Sequence, residues 1–162
     1  AVLRAQLTRF PAQNAIRNAN AIALNQALDE IPGLRTPRRD PRMDTQGNYC
    51  FVIHYDSASF AGLPLADFER ALAAEGIPMG VSYPSLGDLA LFRNRNFGPR
   101  LRAGAPAPDY ASLHLPNARH AAATTVWLQH RLLLADRDDV LDVARAATRI
   151  QQHAERIVTK GV

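Results

Sequence analysis

The chain has one cysteine (Cys50), one lysine (Lys160), one tryptophan (Trp127) and two methionines. A single thiol excludes an internal disulfide and a cysteine-based metal cage, and nothing near Cys50 in sequence would depress its pKa and make it a nucleophile. Its simplest role is that of a small buried hydrophobe. The one lysine lies beside Gly161 at the C-terminus, where fraying and hydration keep an amine from the desolvated pocket that Schiff-base chemistry requires. No glycine-rich phosphate loop of either common pattern is present, so nucleotide binding by such a loop has no support. No apolar run approaches the roughly eighteen residues of a membrane span. Ala1 to Phe10 has neither the order of a signal peptide nor an initiator Met. The expectation is a cytoplasmic protein whose first residue is not a natural start.

What is present is one domain's worth of globular sequence. With 162 residues, 47% apolar and 21% charged, the chain is long enough to bury about two thirds of its unfolded surface, and disorder is excluded. The net charge of +4 comes from 19 basic against 15 acidic residues, and the pI near 9.8 is that of many polyanion binders. The basic residues are nearly all arginine, and there are 28 alanines. That bias reads as GC-rich coding, and neither nucleic acid nor a membrane is expected as a partner.

The apolar spacing from Leu3 to Ile31 is helical, with Leu3, Leu7 and Phe10 followed by Ile16, Ala19, Ala23 and Ala27 beside Leu24 and Leu28. Pro11 permits a break or kink, and Pro32-Gly33 is the stop. Arg35 to Gly47 is a polar connection. Its Arg35, Arg38, Arg39 and Arg42 suit either a solvated loop or a clamp for phosphate or carboxylate. Asn48 to Asp56 predicts a strand with both faces partly covered. Leu65 to Glu75 predicts a helix closed by Gly76 and Pro78, and Met79 to Tyr83 a short strand. Pro84 to Tyr110 is a long irregular stretch of the kind that is usually functional. A short helix at Asn117 to Ala123, a strand at Thr124 to Gln129 and a long helix from Asp138 to Val158 complete the order, with Asp136, Asp138 and Asp139 placed to cap it. The fold class is α/β, a short, largely antiparallel sheet covered by helices, with long N- and C-terminal helices.

His114, His120 and His130 lack the spacing that puts two imidazoles on one metal, and His54 within the strand reads as a packing residue rather than a base. Tyr83, Pro84 and Ser85 stand where a strand yields to a loop, a place for either ligand contacts or a plain turn.

Four segments in order resemble the C-terminal part of the DegT/DnrJ/EryC1/StrS family of sugar and cyclitol aminotransferases. They are NAIRNANAIALNQALDEIPGL (Asn14 to Leu34), NYCFVIHY (Asn48 to Tyr55), LADFERALAAEGIPMGVSYPSL (Leu65 to Leu86) and LPNARHAAATTVWLQHRLLLADRDDVLDVARAATRI (Leu115 to Ile150). The branches nearest in pattern act on cyclitols or amino-hydroxybenzoate precursors. The resemblance implies a pyridoxal-phosphate enzyme of fold type I that passes an amino group from glutamate or glutamine to a keto sugar or keto cyclitol, of the kind used in antibiotic or amino-sugar biosynthesis. It also implies a homodimer with active sites between subunits.

On this resemblance residues 1–33 are a connecting helix and 34–162 the small domain, while the cofactor-binding large domain, with the Schiff-base lysine, is absent. The chain alone is then expected to be inactive, and a catalytically inert binding or dimerisation module derived from the family is the alternative. Asn48, Tyr49 and Tyr83 match positions on the family's substrate side, which implies that they position the sugar or cyclitol and that none is an acid-base catalyst. Two departures stand out: Ser85-Leu86 where many members carry a histidine, and Arg119 where a glutamate is common.

Overall fold

The computed structural model describes residues 2–80, 82–94 and 109–160. It divides into two compact units, Ala1–Val81 with Thr125–Val162, and Ser82–Thr124.

In the larger unit, α1 (Val2–Asp29) runs 28 residues straight through Pro11. No break occurs, because proline forfeits one hydrogen bond in a stretch that buries nothing before Asn14. The buried face differs from the predicted stripe. Asn20, Ala21, Ala23, Leu24 and Leu28 face the core, while Ile16 is 46% exposed and Ala19 is on the outside. The helix ends at Asp29, before the predicted stop, and a turn through Gly33 leads into β1 (Leu34–Arg35), a two-residue strand that the sequence did not announce.

The chain returns at β2 (Cys50–Tyr55), in which Phe51, Ile53 and Tyr55 are buried and Cys50, Val52 and His54 half-buried. After a 3-10 turn at Ser57–Phe60 comes α2 (Leu65–Ala74). Its end is the one predicted. Gly76 takes φ +86°, its N–H donates to Ala73 and that of Ile77 to Leu72, the paired bonds of a Schellman cap.

The smaller unit contains a 3-10 turn at Leu86–Asp88, the single-turn helix α3 (Ala90–Arg93), a 3-10 turn at Tyr110–Ser112 and α4 (Pro116–Thr124). The stretch expected to be irregular therefore holds helical turns at both ends, and 95–108 lie outside the described residues.

Back in the larger unit, β3 (Thr125–Gln129) completes an antiparallel sheet of order β1-β2-β3, with Cys50 opposite Gln129 and Ile53 opposite Val126. Of the strand predicted at Met79 to Tyr83, the described residues show one bridge, Met79 to Leu128, and a bond from the Gly80 N–H to the Trp127 carbonyl at 2.7 Å; Val81 lies outside the described residues. A 3-10 turn at His130–Leu134 leads to α5 (Arg137–Gln152) and α6 (Ala154–Lys160). The predicted single C-terminal helix is thus divided at His153, and Asp136 holds the N-cap position without a side-chain bond, leaving Asp138 and Asp139 to act on the helix dipole. Phe60, Phe68, Leu72, Leu128, Leu133, Val140 and Val143 are wholly buried between the sheet and these helices.

Candidate functional site

The approach to β2 is held by reciprocal amide bonds. Asn18 Nδ2 donates to the carbonyl of Gln46 at 2.9 Å, Gln46 N–H donates to Asn18 Oδ1 at 3.2 Å, and Asn18 Nδ2 also reaches its own helix at Asn14 O, 2.8 Å. This fixes the polar connection onto α1. Asn48 then takes a left-handed conformation, φ +43°, which asparagine tolerates better than most residues. Asn48 is buried and Tyr49, the next residue, is 76% exposed. The local work of Asn48 is to turn the chain into the strand; it also lines a small cleft.

That cleft, about 80 Å3, is lined by Asn18, Asn25, Arg39, Gln46, Asn48 and Cys50 among others. Arg39 donates to the carbonyl of Asp44 at 3.0 Å. Of the four arginines in the connection it alone lines the cleft; Arg42 is exposed and paired with Asp40, so no clamp is assembled from the set. Burial pushes the Cys50 thiol up, which suits an inert packing role. Amides and a guanidinium can orient an oxygen-rich or carboxylate ligand, but this lining contains no general base.

On the other side of the β2 entry, Tyr49 meets His130, ring centroids 6.5 Å apart and planes tilted by 56°. The register brings them together: Cys50 pairs with Gln129, so the preceding residue of one strand faces the following residue of the other. His130 also lines a second cleft, about 460 Å3, with Leu3, Leu7, Phe10 and Arg17. The sequence spacing of His130 excludes only a metal pair; its contact with Tyr49 depends on the strand register.

Tyr83 belongs to the smaller unit, where it is 59% exposed, so the three predicted contact residues are divided two and one between the units. Nearby in sequence, Ser85 is buried and its Oγ has no partner among the described residues. Asp88 receives two bonds from Arg119, Nε to Oδ2 and Nη2 to Oδ1, both 2.9 Å, and one from Arg93 at 3.0 Å. The Arg119 bond above all, with Arg93 assisting and partial burial opposing, draws the Asp88 carboxyl down to about 2. Arg119, one of the two departures noted in the sequence, is thereby committed to a carboxylate of its own unit.

The family model of the DegT/DnrJ/EryC1/StrS aminotransferases matches residues 1–147. The chain belongs to this family. An L-glutamine:2-deoxy-scyllo-inosose aminotransferase of Streptoalloteichus tenebrarius is 32% identical over 161 residues, covering 94% of this chain and 37% of that protein. One of the same description from Streptomyces fradiae is 30% identical, covering 98% and 38%. Among solved structures, a 3-amino-5-hydroxybenzoic acid synthase superposes with a TM-score of 0.73 at 25% identity, over 94% of this chain and 38% of that one. The aminotransferase TlmJ of Streptoalloteichus hindustanus, 22% identical with a TM-score of 0.66, shares the fold. This member of the DegT/DnrJ/EryC1/StrS family spans a little over a third of the length of these relatives.

Among the described residues, neither of the two clefts offers an amine to a pyridoxal phosphate. Lys160, the sole lysine, is exposed in the last turn of α6 and lines neither cleft of the larger unit. Among the described residues no group of His, Cys, Asp and Glu is arranged to hold a metal, and no helix is long and apolar enough to cross a membrane.

Proposed function

We propose that this chain is the small-domain portion, with its connecting helix, of a pyridoxal-phosphate-dependent aminotransferase that moves the amino group of glutamine or glutamate onto a keto cyclitol or keto sugar. The carrying observation is the family match over residues 1–147, joined to relatives named for 2-deoxy-scyllo-inosose. The division into a helix over 1–33 and a small domain over 34–162, the cytoplasmic location and a homodimeric assembly belong to the same proposal. The cofactor is held by polypeptide outside this chain and supplies the amino-group chemistry there. The part of these 162 residues is to bind and orient: Tyr49 and Tyr83 offer aromatic faces and phenolic hydroxyls to a polyhydroxylated ring, and Asn48 sets the position of Tyr49.

The polypeptide encoded by the gene, supplied with pyridoxal phosphate, glutamine and scyllo-inosose, is expected to release glutamine-derived keto acid and form an aminocyclitol. Tyr49→Ala is expected to raise KM for the keto cyclitol about tenfold, roughly the loss of one good contact, with a smaller change in kcat. Absence of turnover with keto cyclitols and keto sugars alike overturns the reading.

The position of Lys160 favours a second reading for the 162 residues taken alone, an inert binding or dimerisation module. The isolated chain is expected to bind no pyridoxal phosphate, and a stoichiometric complex with a visible absorbance band would contradict this.

A further inference from the structure

The first three turns of α1 carry Val2, Leu3, Leu7 and Phe10, exposed by 71, 75, 65 and 45%. Leu3, Leu7 and Phe10 border, with Arg9, Arg17 and His130, the cleft of about 460 Å3, a volume within the range of sites that seat a ligand or an inserted segment. Arg17 has an unusual state. It is half-buried, and among the described residues its buried Nε has no hydrogen-bond partner and no carboxylate pairs with it. Nor does the helix supply one, because α1 holds Arg4, Arg9 and Arg17 and no acidic residue before Asp29. The buried Nε–H of a charged guanidinium, left without an acceptor, is the costly part of this arrangement.

Two occupants differ in how they meet these facts. A second copy seated stripe on stripe would bring Arg4, Arg9 and Arg17 against their equals, and like charges oppose that contact. Polypeptide of opposite charge meets both the apolar stripe and the cation. The relatives supply such a candidate, since well over half of their length has no counterpart in this chain.

We infer that the cleft is covered by polypeptide of the same enzyme lying outside these 162 residues, and that the covering surface brings a carboxylate to Arg17. The inference rests on the reading under Proposed function and adds to it the charge of the docking partner. Because His130 borders the cleft and touches Tyr49, the cover also reaches the edge of the substrate-side tyrosine.

The test is amide hydrogen exchange on the polypeptide as its gene encodes it. In the wild type, amides of residues 6–17 are expected to exchange as slowly as those of α5. Arg17→Glu speeds them at least tenfold and leaves α5 unchanged, whereas Arg17→Lys changes them less than threefold. Leu7→Asp, at a site exposed in this fold, gives the same acceleration without touching the core. Fast exchange over 6–13 in the wild type overturns the inference. So do exchange indifferent to Arg17→Glu, protection that rises with protein concentration as a second copy would give, and a reading frame that encodes nothing beyond these residues. Aminotransfer is measured on the same samples: protection without activity removes the proposed function and leaves the docking, and activity with fast exchange does the reverse.

Discussion

Asn20 lies on the buried face of α1 and donates through Nδ2 to the carbonyls of Leu133 and Ala135, both at 3.0 Å. It thereby ties the helix to the 3-10 turn after β3. Asn20→Ala removes the donor to both carbonyls, the bond to Leu133 being the buried one, for an expected loss of about 1–3 kcal/mol. Urea unfolding should show the midpoint falling at constant slope. Asp88 makes the corresponding case for charge. Its folded pKa of about 2 lies below the ordinary 3.8, so the unfolded state binds a proton first as pH drops. The stabilisation from its bonds to Arg119 and Arg93 is therefore complete above about pH 4, and is lost as pH falls through the folded value. An NMR titration of the Asp88 carboxyl should place its midpoint near 2, and Arg119→Ala should return it towards the ordinary range. Neither role was legible in the sequence: an asparagine inside a helix looks like a surface residue until burial is known, and Arg119 lies 31 positions from its partner.

Elements were read with more success where the signal is local. The C-terminus of α2 was legible because a Schellman cap is written within six neighbouring positions, Gly76 in the left-handed region with the apolar Leu72 before it and Ile77 after it. The end of α1 was legible only approximately. Gly33 is required there for two reasons: it sits at φ +85°, and a Cβ would fall 2.3 Å from Ser59 Cβ. Gly33→Ala is expected to cost more than about 1 kcal/mol from the backbone alone, with a further loss from the clash, seen as a lowered Tm. Gly76→Ala meets nothing within 4 Å and should show the backbone cost without the clash. The buried stripe of α1 was displaced in the sequence reading for a simple reason. Alanines and leucines on several faces satisfy more than one helical phase, and the true face includes Asn14 and Asn20, which a search for apolar periodicity passes over. The Met79 segment keeps, among the described residues, one bridge from Met79 to Leu128 and one bond from the Gly80 N–H to the Trp127 carbonyl, and β-propensity says nothing of how many such partners a segment will find.

For the molecule as a whole, an α/β fold with a short antiparallel sheet was correctly expected, and so was membership of the aminotransferase family. Both follow from ordered local patterns: strand against helix periodicity, capping residues, and a set of segments in fixed succession. The absence of any lysine before position 160 was likewise complete in the sequence, and it directs the cofactor chemistry to polypeptide beyond these residues under the proposed function. Tertiary structure alone decided which side chains meet. It placed Tyr49 against His130 through a strand register, joined Arg119 to Asp88, buried Asn48 in a left-handed turn, and left the Arg17 Nε without a partner among the described residues. The physical reason is range. Periodicity and capping act within a turn or two of chain and are carried by neighbouring residues. Register, burial and charge pairing depend on the packing of segments tens of residues apart, and one sequence pattern is compatible with several such packings until the core has chosen among them.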